Sequence, residues 1–343
     1  MNSLVVDVAK IRAYLKKVRH ITGAKVCAVA KANCYGVGIQ LCPHISDLVD
    51  YFAVATMQEA IELRRLVANK ILVLSPPVIS DIGLLTPENM AGIEFAVDSL
   101  ATLKKLAKTG KNYNLHLVAN TGMNRYGATR QEFESMVHYA KRHSNLYVAG
   151  AFSHFLKGDA RTKMRQYAAF TPCVKLVKQN FPDAICHISN SNGTDYPLDM
   201  VRIGIGLYDP AGAGVTTLAS SVVKINSVPA GQSVGYGSRF KPKNAAKIAV
   251  VPMGYADGIM RKFSGANVMV EGTLCPIVGS VCMDCFFVDV TNCPRAKVGS
   301  KVIIWGQAGK QHLDICNLAK KCGTINYELL THIGSRVNRK YKL

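Results

Sequence analysis

Two hydrophobic rhythms alternate along the chain from residue 25 to about residue 210. Short runs that are apolar on both faces cover Lys25–Ala32, Tyr51–Thr56, Lys70–Ser75, Gly92–Val97, Tyr113–Ala119, Leu146–Ser153, Ile185–Ser189 and Val201–Tyr208. Such runs predict parallel strands covered on both sides. Helical spacing fills most of the gaps. Met57–Val67 carries Ala60, Ile61, Leu63, Leu66 and Val67 on one stripe. Asp98 or Ser99 can cap a helix bearing Leu100, Leu103 and Leu106, and Gly110 ends it. Gln131–Arg142 and Met164–Lys178 read the same way. Eight strands alternating with helices predict an α/β fold built on a (β/α)₈ TIM barrel. An open doubly wound sheet is the alternative, but the chain has neither a G-x-G-x-x-G turn nor a Walker A loop.

After Gly212-Ala-Gly214 the rhythm changes. Ala219–Val228, Lys247–Pro252, Asn267–Glu271, Gly279–Val290 and Lys301–Trp305 are β-like and separated by Gly, Pro and Asn turns, with one helix expected at Asp314–Cys322. The expected organisation is a barrel over residues 1–213 followed by a mainly β domain over 214–343.

Composition narrows this picture without redirecting it. The 343 residues include 49% hydrophobic positions, enough for a large and a smaller globular domain. The first twenty residues contain no unbroken apolar run long enough for a signal-peptide core, and no run approaches the roughly 20 residues that span a bilayer. A soluble, cytoplasmic protein with no membrane partner is expected. Eleven cysteines without a secretory signal read as free thiols. Cys282-Met283-Asp284-Cys285 lacks the second pair a zinc site needs, so it reads as structural thiols in a strand-like run and no metal is expected. The net charge of +20 is scattered, with no dense basic run and no interleaved aromatics, so nucleic acid is not the expected partner.

Barrel enzymes carry their chemistry at the C-terminal ends of the strands. Lys31 stands where the first apolar run stops, a place where lysine needs a partner or a task. Asn120-Thr121-Gly122-Met123-Asn124-Arg125 follows the fifth strand, His154 ends the sixth, Ser189-Asn190-Ser191-Asn192-Gly193 follows the seventh, and Arg202-Ile-Gly-Ile-Gly forms the eighth. Each alone has a structural explanation; together they occupy one rim. Loops after strands seven and eight of barrels often bind phosphate. Ser191 offers a hydroxyl, Gly204 and Ile205 offer accessible amides, and Tyr35 a phenol. A lysine beside a phosphate site fits pyridoxal phosphate chemistry better than either feature alone.

The segments AVAKANCYG, TGMNRYG, HISNS, VRIGIGLY, VPMGYADG, CMD and TINYELL, in this order from residue 26 to 331, resemble alanine racemases. The resemblance implies pyridoxal 5'-phosphate carried by Lys31, a barrel followed by a β domain, and a homodimer whose active sites borrow residues from the partner. It further implies that Lys31 and Tyr255 are opposing bases in the interconversion of L- and D-alanine, the D-isomer serving a bacterial-type cell wall. Two bases on opposite faces of one planar carbanion are what racemisation requires. A tyrosine, with an ordinary pKa of about 10, needs nearby positive charge or hydrogen bonding to its phenolate for this role, and His154 and Arg202 are the expected sources. Arg202 matches the partner of the cofactor's ring nitrogen; an arginine keeps its proton, so the ring nitrogen stays bare and transamination is disfavoured. Arg125 would hold the ring hydroxyl and the substrate carboxylate, Met283 would give that carboxylate its amide, and Tyr327 would complete the phosphate site with Tyr35.

Three positions depart from the family pattern. Val118 stands where a lysine, often carbamylated, braces the substrate-side arginine; Asn120 replaces an aspartate; Val37 replaces the histidine of YGHG. These departures make a serine or broader-specificity racemase the alternative. A decarboxylase on the same fold would not need Tyr255, and a cofactor-binding protein without catalysis would need only the barrel.

Overall fold

The structure is a computed structural model and describes residues 2–77, 91–208, 214–309 and 311–343. The chain divides into two compact units: Arg12–Cys34 with Ile39–Leu207, and Met1–Ile11 with Tyr35–Gly38 and Tyr208–Leu343. The expected boundary at 213/214 falls at the edge of a stretch, 209–213, outside the described residues. The first strand, β1 (Ser3–Asp7), belongs to the second unit.

The eight strands of the first unit are β2 (Lys25–Val29), β3 (Tyr51–Val54), β4 (Lys70–Val73), β5 (Ile93–Val97), β6 (Tyr113–Val118), β7 (Leu146–Phe152), β8 (Ile185–His187) and β9 (Met200–Ile203). All their pairings are parallel, in the order β8-β7-β6-β5-β4-β3-β2-β9. The Arg202 amide donates to the Ser189 carbonyl at 3.3 Å, bringing β9 back beside β8 and nearly closing the barrel. Every strand matches an expected run; seven stop short of its end, while β5 loses Gly92 at its start and keeps Val97. The helices Met57–Arg64, Leu100–Lys108, Arg130–Lys141 and Ala160–Asn180 start at Thr56, Ser99, Thr129 and Asp159, each of which accepts a hydrogen bond from the first turn. At Thr56 the reciprocal contact from Glu59 completes a capping box.

Two strand expectations change at the rim. The run Lys25–Ala32 stops at Val29, and the run Val201–Tyr208 stops at Ile203 and turns into a helical segment, Ile205–Tyr208. In the second case the Gly204 and Gly206 amides bend toward the Ser191 hydroxyl instead of joining the sheet.

The second unit is a sheet of β10 (Thr216–Ser221), β11 (Lys224–Val228), β12 (Ala246–Val251), β13 (Asn267–Val270), β14 (Thr273–Val278), β15 (Phe286–Asp289), β16 (Lys301–Ala308), β17 (Gln311–Leu313) and β18 (Asn338–Lys342), together with β1. Strand β1 lies between β10, antiparallel to it, and β18, parallel to it. Only Phe286–Asp289 of the expected run Gly279–Val290 is a strand; Cys282 and Cys285 lie in the loop before it, with the Cys282 amide donating to the Cys285 carbonyl at 2.8 Å. The expected helix is Ile315–Lys321, capped by Asp314. A second helix, Asn326–Thr331, has no side-chain cap to announce it. Among the described residues, no helix is long and apolar enough to cross a membrane.

Candidate active site

Lys31 opens a left-handed turn. Ala32, Asn33, Cys34 and Tyr35 have φ of 52°, 53°, 53° and 55°. For residues with a Cβ this conformation costs roughly 1–2 kcal/mol each. The turn is held by its contacts: the Ala32 amide donates to Glu59 Oε1 at 2.7 Å, the Ile39 amide to Asn33 Oδ1 at 2.8 Å, and the Cys34 amide to the Ala30 carbonyl at 2.9 Å. Glu59 therefore caps its own helix and also fixes the residue after the lysine.

Lys31, Arg125, His154 and Arg202 lie within electrostatic reach of one another. Burial and then Arg125 push the Lys31 amine below its usual range, against a smaller opposite pull from Glu59. Burial, Arg202, Arg125 and Lys31 hold His154 down to about 3. His154 is thus held neutral, which leaves it hydrogen bonding and not charge as the contribution it can make. Arg202 is lowered by burial to about 10 and stays charged. It is 3% exposed and donates through Nη2 to the carbonyls of Ser153 (2.7 Å) and Ile188 (3.1 Å), with His154 Nδ1 at 3.3 Å; Nη1 donates to His187 Nδ1.

Ser191 and Gly204 meet through a hydrogen bond, with Ile205 next in the chain. Ser191 Oγ accepts from the amides of Gly204 (2.9 Å) and Gly206 (3.3 Å), gathering a hydroxyl and backbone donors in one place. A Cβ on Gly206 would meet the Tyr14 hydroxyl at 2.9 Å and the Ser191 Cβ at 3.3 Å, so a side chain would crowd this cradle. Asn190 serves its own loop: Oδ1 accepts the Asn192 amide at 3.0 Å. Gln166, 1% exposed, donates to Thr121 Oγ1 (3.2 Å) and the His154 carbonyl (3.0 Å), so it braces two rim loops at once.

Tyr35 and Tyr327 belong to the second unit, their ring centroids 6.1 Å apart, with Tyr208 5.1 Å from Tyr35. Burial, aided by Tyr327, pushes the Tyr35 phenol up to about 12, so it stays a hydrogen-bond donor. The adjacent Gly36 has φ +79°, and a Cβ there would lie 2.0 Å from the Leu330 carbonyl oxygen; that carbonyl belongs to the helix carrying Tyr327. Val37 is fully buried and its carbonyl accepts from the Tyr341 hydroxyl at 3.2 Å.

Tyr255 and Met283 are also neighbours, and both are about half exposed, at 46% and 52%. The Tyr255 amide donates to the Cys282 carbonyl (3.0 Å) and the Ala256 amide to the Met283 carbonyl (3.1 Å). A Cβ on Gly254 would lie 2.2 Å from the Met283 carbonyl oxygen, so only glycine permits this approach. Arg336 locks the two segments from below. It donates to both oxygens of buried Asp257 (3.0 and 3.1 Å) and to Asp284 Oδ1 (2.8 Å), while Asp257 Oδ2 accepts the Gly254 amide at 2.8 Å.

The departures from the family pattern have a consistent environment. Val118, 4% exposed, packs with Ala96, Phe152 and Leu74. Asn120 Oδ1 accepts the amides of Gly122 (3.0 Å) and Asn124 (3.2 Å), and its Nδ2 donates to Asn124 Oδ1. Arg125 is exposed and stacks 5.9 Å from the Tyr126 ring centre; among the described residues it makes no ion pair.

Residues 6–211 match the alanine racemase N-terminal domain and residues 215–341 the alanine racemase C-terminal domain. The chain is 32% identical to an alanine racemase of Methanococcus maripaludis, over 98% of this chain and 97% of that one. The solved alanine racemase of Bacillus anthracis superposes with a TM-score of 0.91 at 27% identity, covering all of this chain and 95% of that one. The alanine racemase of Bartonella henselae, solved with covalently bound pyridoxal phosphate, superposes at 0.88 with 25% identity over 99% of each chain. Relatives matched end to end thus name alanine, with no support for serine or a broader range. The two domain matches, the full-length relatives and the shared fold agree: the chain belongs to the alanine racemase family, isomerases that depend on pyridoxal 5'-phosphate.

Proposed function

We propose that the chain racemises alanine with two bases, Lys31 and Tyr255, in a homodimer in which Tyr255 and Met283 reach the barrel rim of the partner. The observation that carries this reading is the Lys31 amine, shielded and ringed by Arg125, neutral His154 and charged Arg202. An amine with a lowered pKa is more often unprotonated at neutral pH, so its lone pair is available to attack a carbonyl or to take a proton. The surrounding cations and the Ser191–Gly204–Gly206 cradle suit an anionic, phosphate-bearing group. These residues fit pyridoxal 5'-phosphate, which when bound supplies a carbonyl for amines and a conjugated ring that accepts electron density from the α-carbon.

In this reading Ser191, Gly204, Ile205, Tyr35 and Tyr327 hold the phosphate, with Asn190 shaping the loop. Arg202 faces the ring nitrogen and, as a donor only, leaves it unprotonated. Arg125 and the Met283 amide orient the substrate carboxylate. Lys31 Nζ exchanges a proton with one face of the α-carbon and the Tyr255 phenol oxygen with the other. The half-exposure of Tyr255 and Met283, with Arg336 fixing both segments, supports their presentation to a second copy. Free thiols throughout the chain support work in a reducing cytoplasm, where D-alanine would supply a bacterial-type cell wall.

Complementation tests the shared site. Lys31→Ala and Tyr255→Phe proteins, each inactive alone, are unfolded, mixed in equal amounts and refolded together. Half the dimers are then mixed, each with one intact site, so about a quarter of wild-type activity returns. No recovery, with dimers verified by sedimentation, overturns the sharing of sites. Proton NMR in D₂O then follows loss of the L-alanine α-proton and the chirality of the product; exchange without inversion removes the two-base assignment. L-serine in the same assay measures the substrate range.

A further inference from the structure

Several barrel strands place polar side chains in an otherwise apolar interior. Glu94 on β5 is 2% exposed, and His116 on β6 and His187 on β8 are fully buried. They form one line. Arg202 Nη1 donates to His187 Nδ1, His187 Nε2 lies 3.0 Å from His116 Nδ1, and His116 Nε2 lies 2.6 Å from Glu94 Oε2. Glu94 Oε1 accepts from the Tyr51 hydroxyl at 3.3 Å and from Lys70 Nζ at 2.9 Å. Lys70 is half-exposed, so the line runs from the candidate site through the barrel to water.

The polarity of this line follows from its first member. Arginine has only donors, so His187 must present a bare Nδ1 and carry its proton on Nε2. His116 must then accept at Nδ1 and donate from Nε2, and Glu94 must accept as a carboxylate. A doubly protonated His116 would set two donors face to face somewhere along the line. Burial and then Arg202 hold His187 well below its usual range, in keeping with a neutral ring. Burial alone would raise the Glu94 carboxyl, but its contacts with His116 and Lys70 outweigh that and hold it below its usual range. The neighbouring strand is shaped for the line as well. A Cβ on Gly150 would lie 2.4 Å from His116 Cε1, and the β6–β7 register shifts between Leu115 and His116.

We propose that Glu94 is a positioning residue for racemisation, a remote counter-anion that acts through His116 and His187 to keep Arg202 charged and fixed in orientation. The inference rests on the reading that Arg202 faces the cofactor's ring nitrogen. A chain of buried hydrogen bonds polarises its members in one direction, so a change at one end is felt at the other.

The test is nitrogen-15 NMR of full-length, cofactor-loaded protein labelled in its histidines and in the cofactor ring nitrogen. In the wild type, His116 and His187 both give the signals of Nε2–H tautomers, and His187 keeps its signals between about pH 6 and 9, where an ordinary histidine completes its titration. Glu94→Gln exchanges an acceptor-only group for one that also donates. The His187 signals then change although Glu94 does not touch that ring, and kcat falls about tenfold with KM within about twofold, the scale on which outer partners of an active-site group act. Lys70→Met moves the same signals in the same direction by less. Either histidine doubly protonated or in the Nδ1–H form in the wild type overturns the proposal, as does an unchanged His187 in Glu94→Gln. Should Glu94→Gln fail to fold, the wild-type tautomers and Lys70→Met decide it. A protonated ring nitrogen refutes the placement of Arg202 separately, whatever the histidines show.

Discussion

Two arginines of the same rim are held in opposite ways. Arg202 is buried, with Nη1 and Nη2 both engaged by protein acceptors; Arg125 is exposed, touches one aromatic ring, and has neither an aspartate at position 120 nor a lysine at 118 nearby. The geometry on the Arg202 side is set within the protein, whereas under the proposed function Arg125 would gain its partner from the ligand. Preorganised groups stabilise a transition state without reorganising, while a mobile group loses side-chain freedom on binding.

The largest effect separates the two directly. Arg202→Leu strands His187 Nδ1 and two carbonyls in the barrel interior, and unfolding free energy should fall by about 3 kcal/mol or more. Arg125→Leu should stay within about 0.5 kcal/mol, the range of surface changes. It should raise KM for alanine more than it lowers kcat. Denaturant melts of both variants measure the contrast, and equal losses would erase it.

Next in size is the response to acid. His154, lowered to about 3, and His187, held well below its usual range, stay neutral in the fold, but in the unfolded chain they take up protons below about pH 6.5. The unfolded state binds more protons in that window, so stability falls as pH drops from about 6.5 toward 3. Thermal melts across this range should show the decline, and His154→Asn should flatten it. A stability flat down to pH 4 would mean that the cationic rim opens to water before it unfolds.

The smallest effect restores the family's residue. Val118→Lys puts an amine among Ala96, Phe152 and Leu74 and should cost about 2 kcal/mol. An undiminished melting temperature with a lower KM would show that Arg125 can still be braced from this side.

The barrel was legible because its strands are apolar on both faces, and its rim because lysine, arginine and histidine at strand ends break that pattern. The interior line was harder to see. Glu94, in Ile-Glu-Phe-Ala-Val, and His116, in Leu-His-Leu, look like the outward positions of half-buried strands. The signal that could have found them is their conflict with a barrel whose strands are covered on both sides. Arg336 and Asp257 were invisible for another reason: 79 residues separate them, and nothing local marks the pair. Strands β14 and β18 were hidden by Pro276 and by the charged run Asn338–Lys342. A left-handed turn of four non-glycine residues has no propensity signature at all, since only its contacts make it possible.

Strand β1 carries a consequence for how the protein is made. It is made long before its neighbours, yet it sits between β10 and β18, the last strand in chain order. Until Asn338–Lys342 has been made, Ser3–Asp7 has at most one of its two neighbours, and the sheet keeps an open slot. Pairings this distant in sequence form slowly and leave strand edges exposed in the meantime. A fragment starting at residue 214 would lack the strand between β10 and β18 and should associate through that gap. Supplying residues 1–11 in trans, or grafting them after Leu343, should close it.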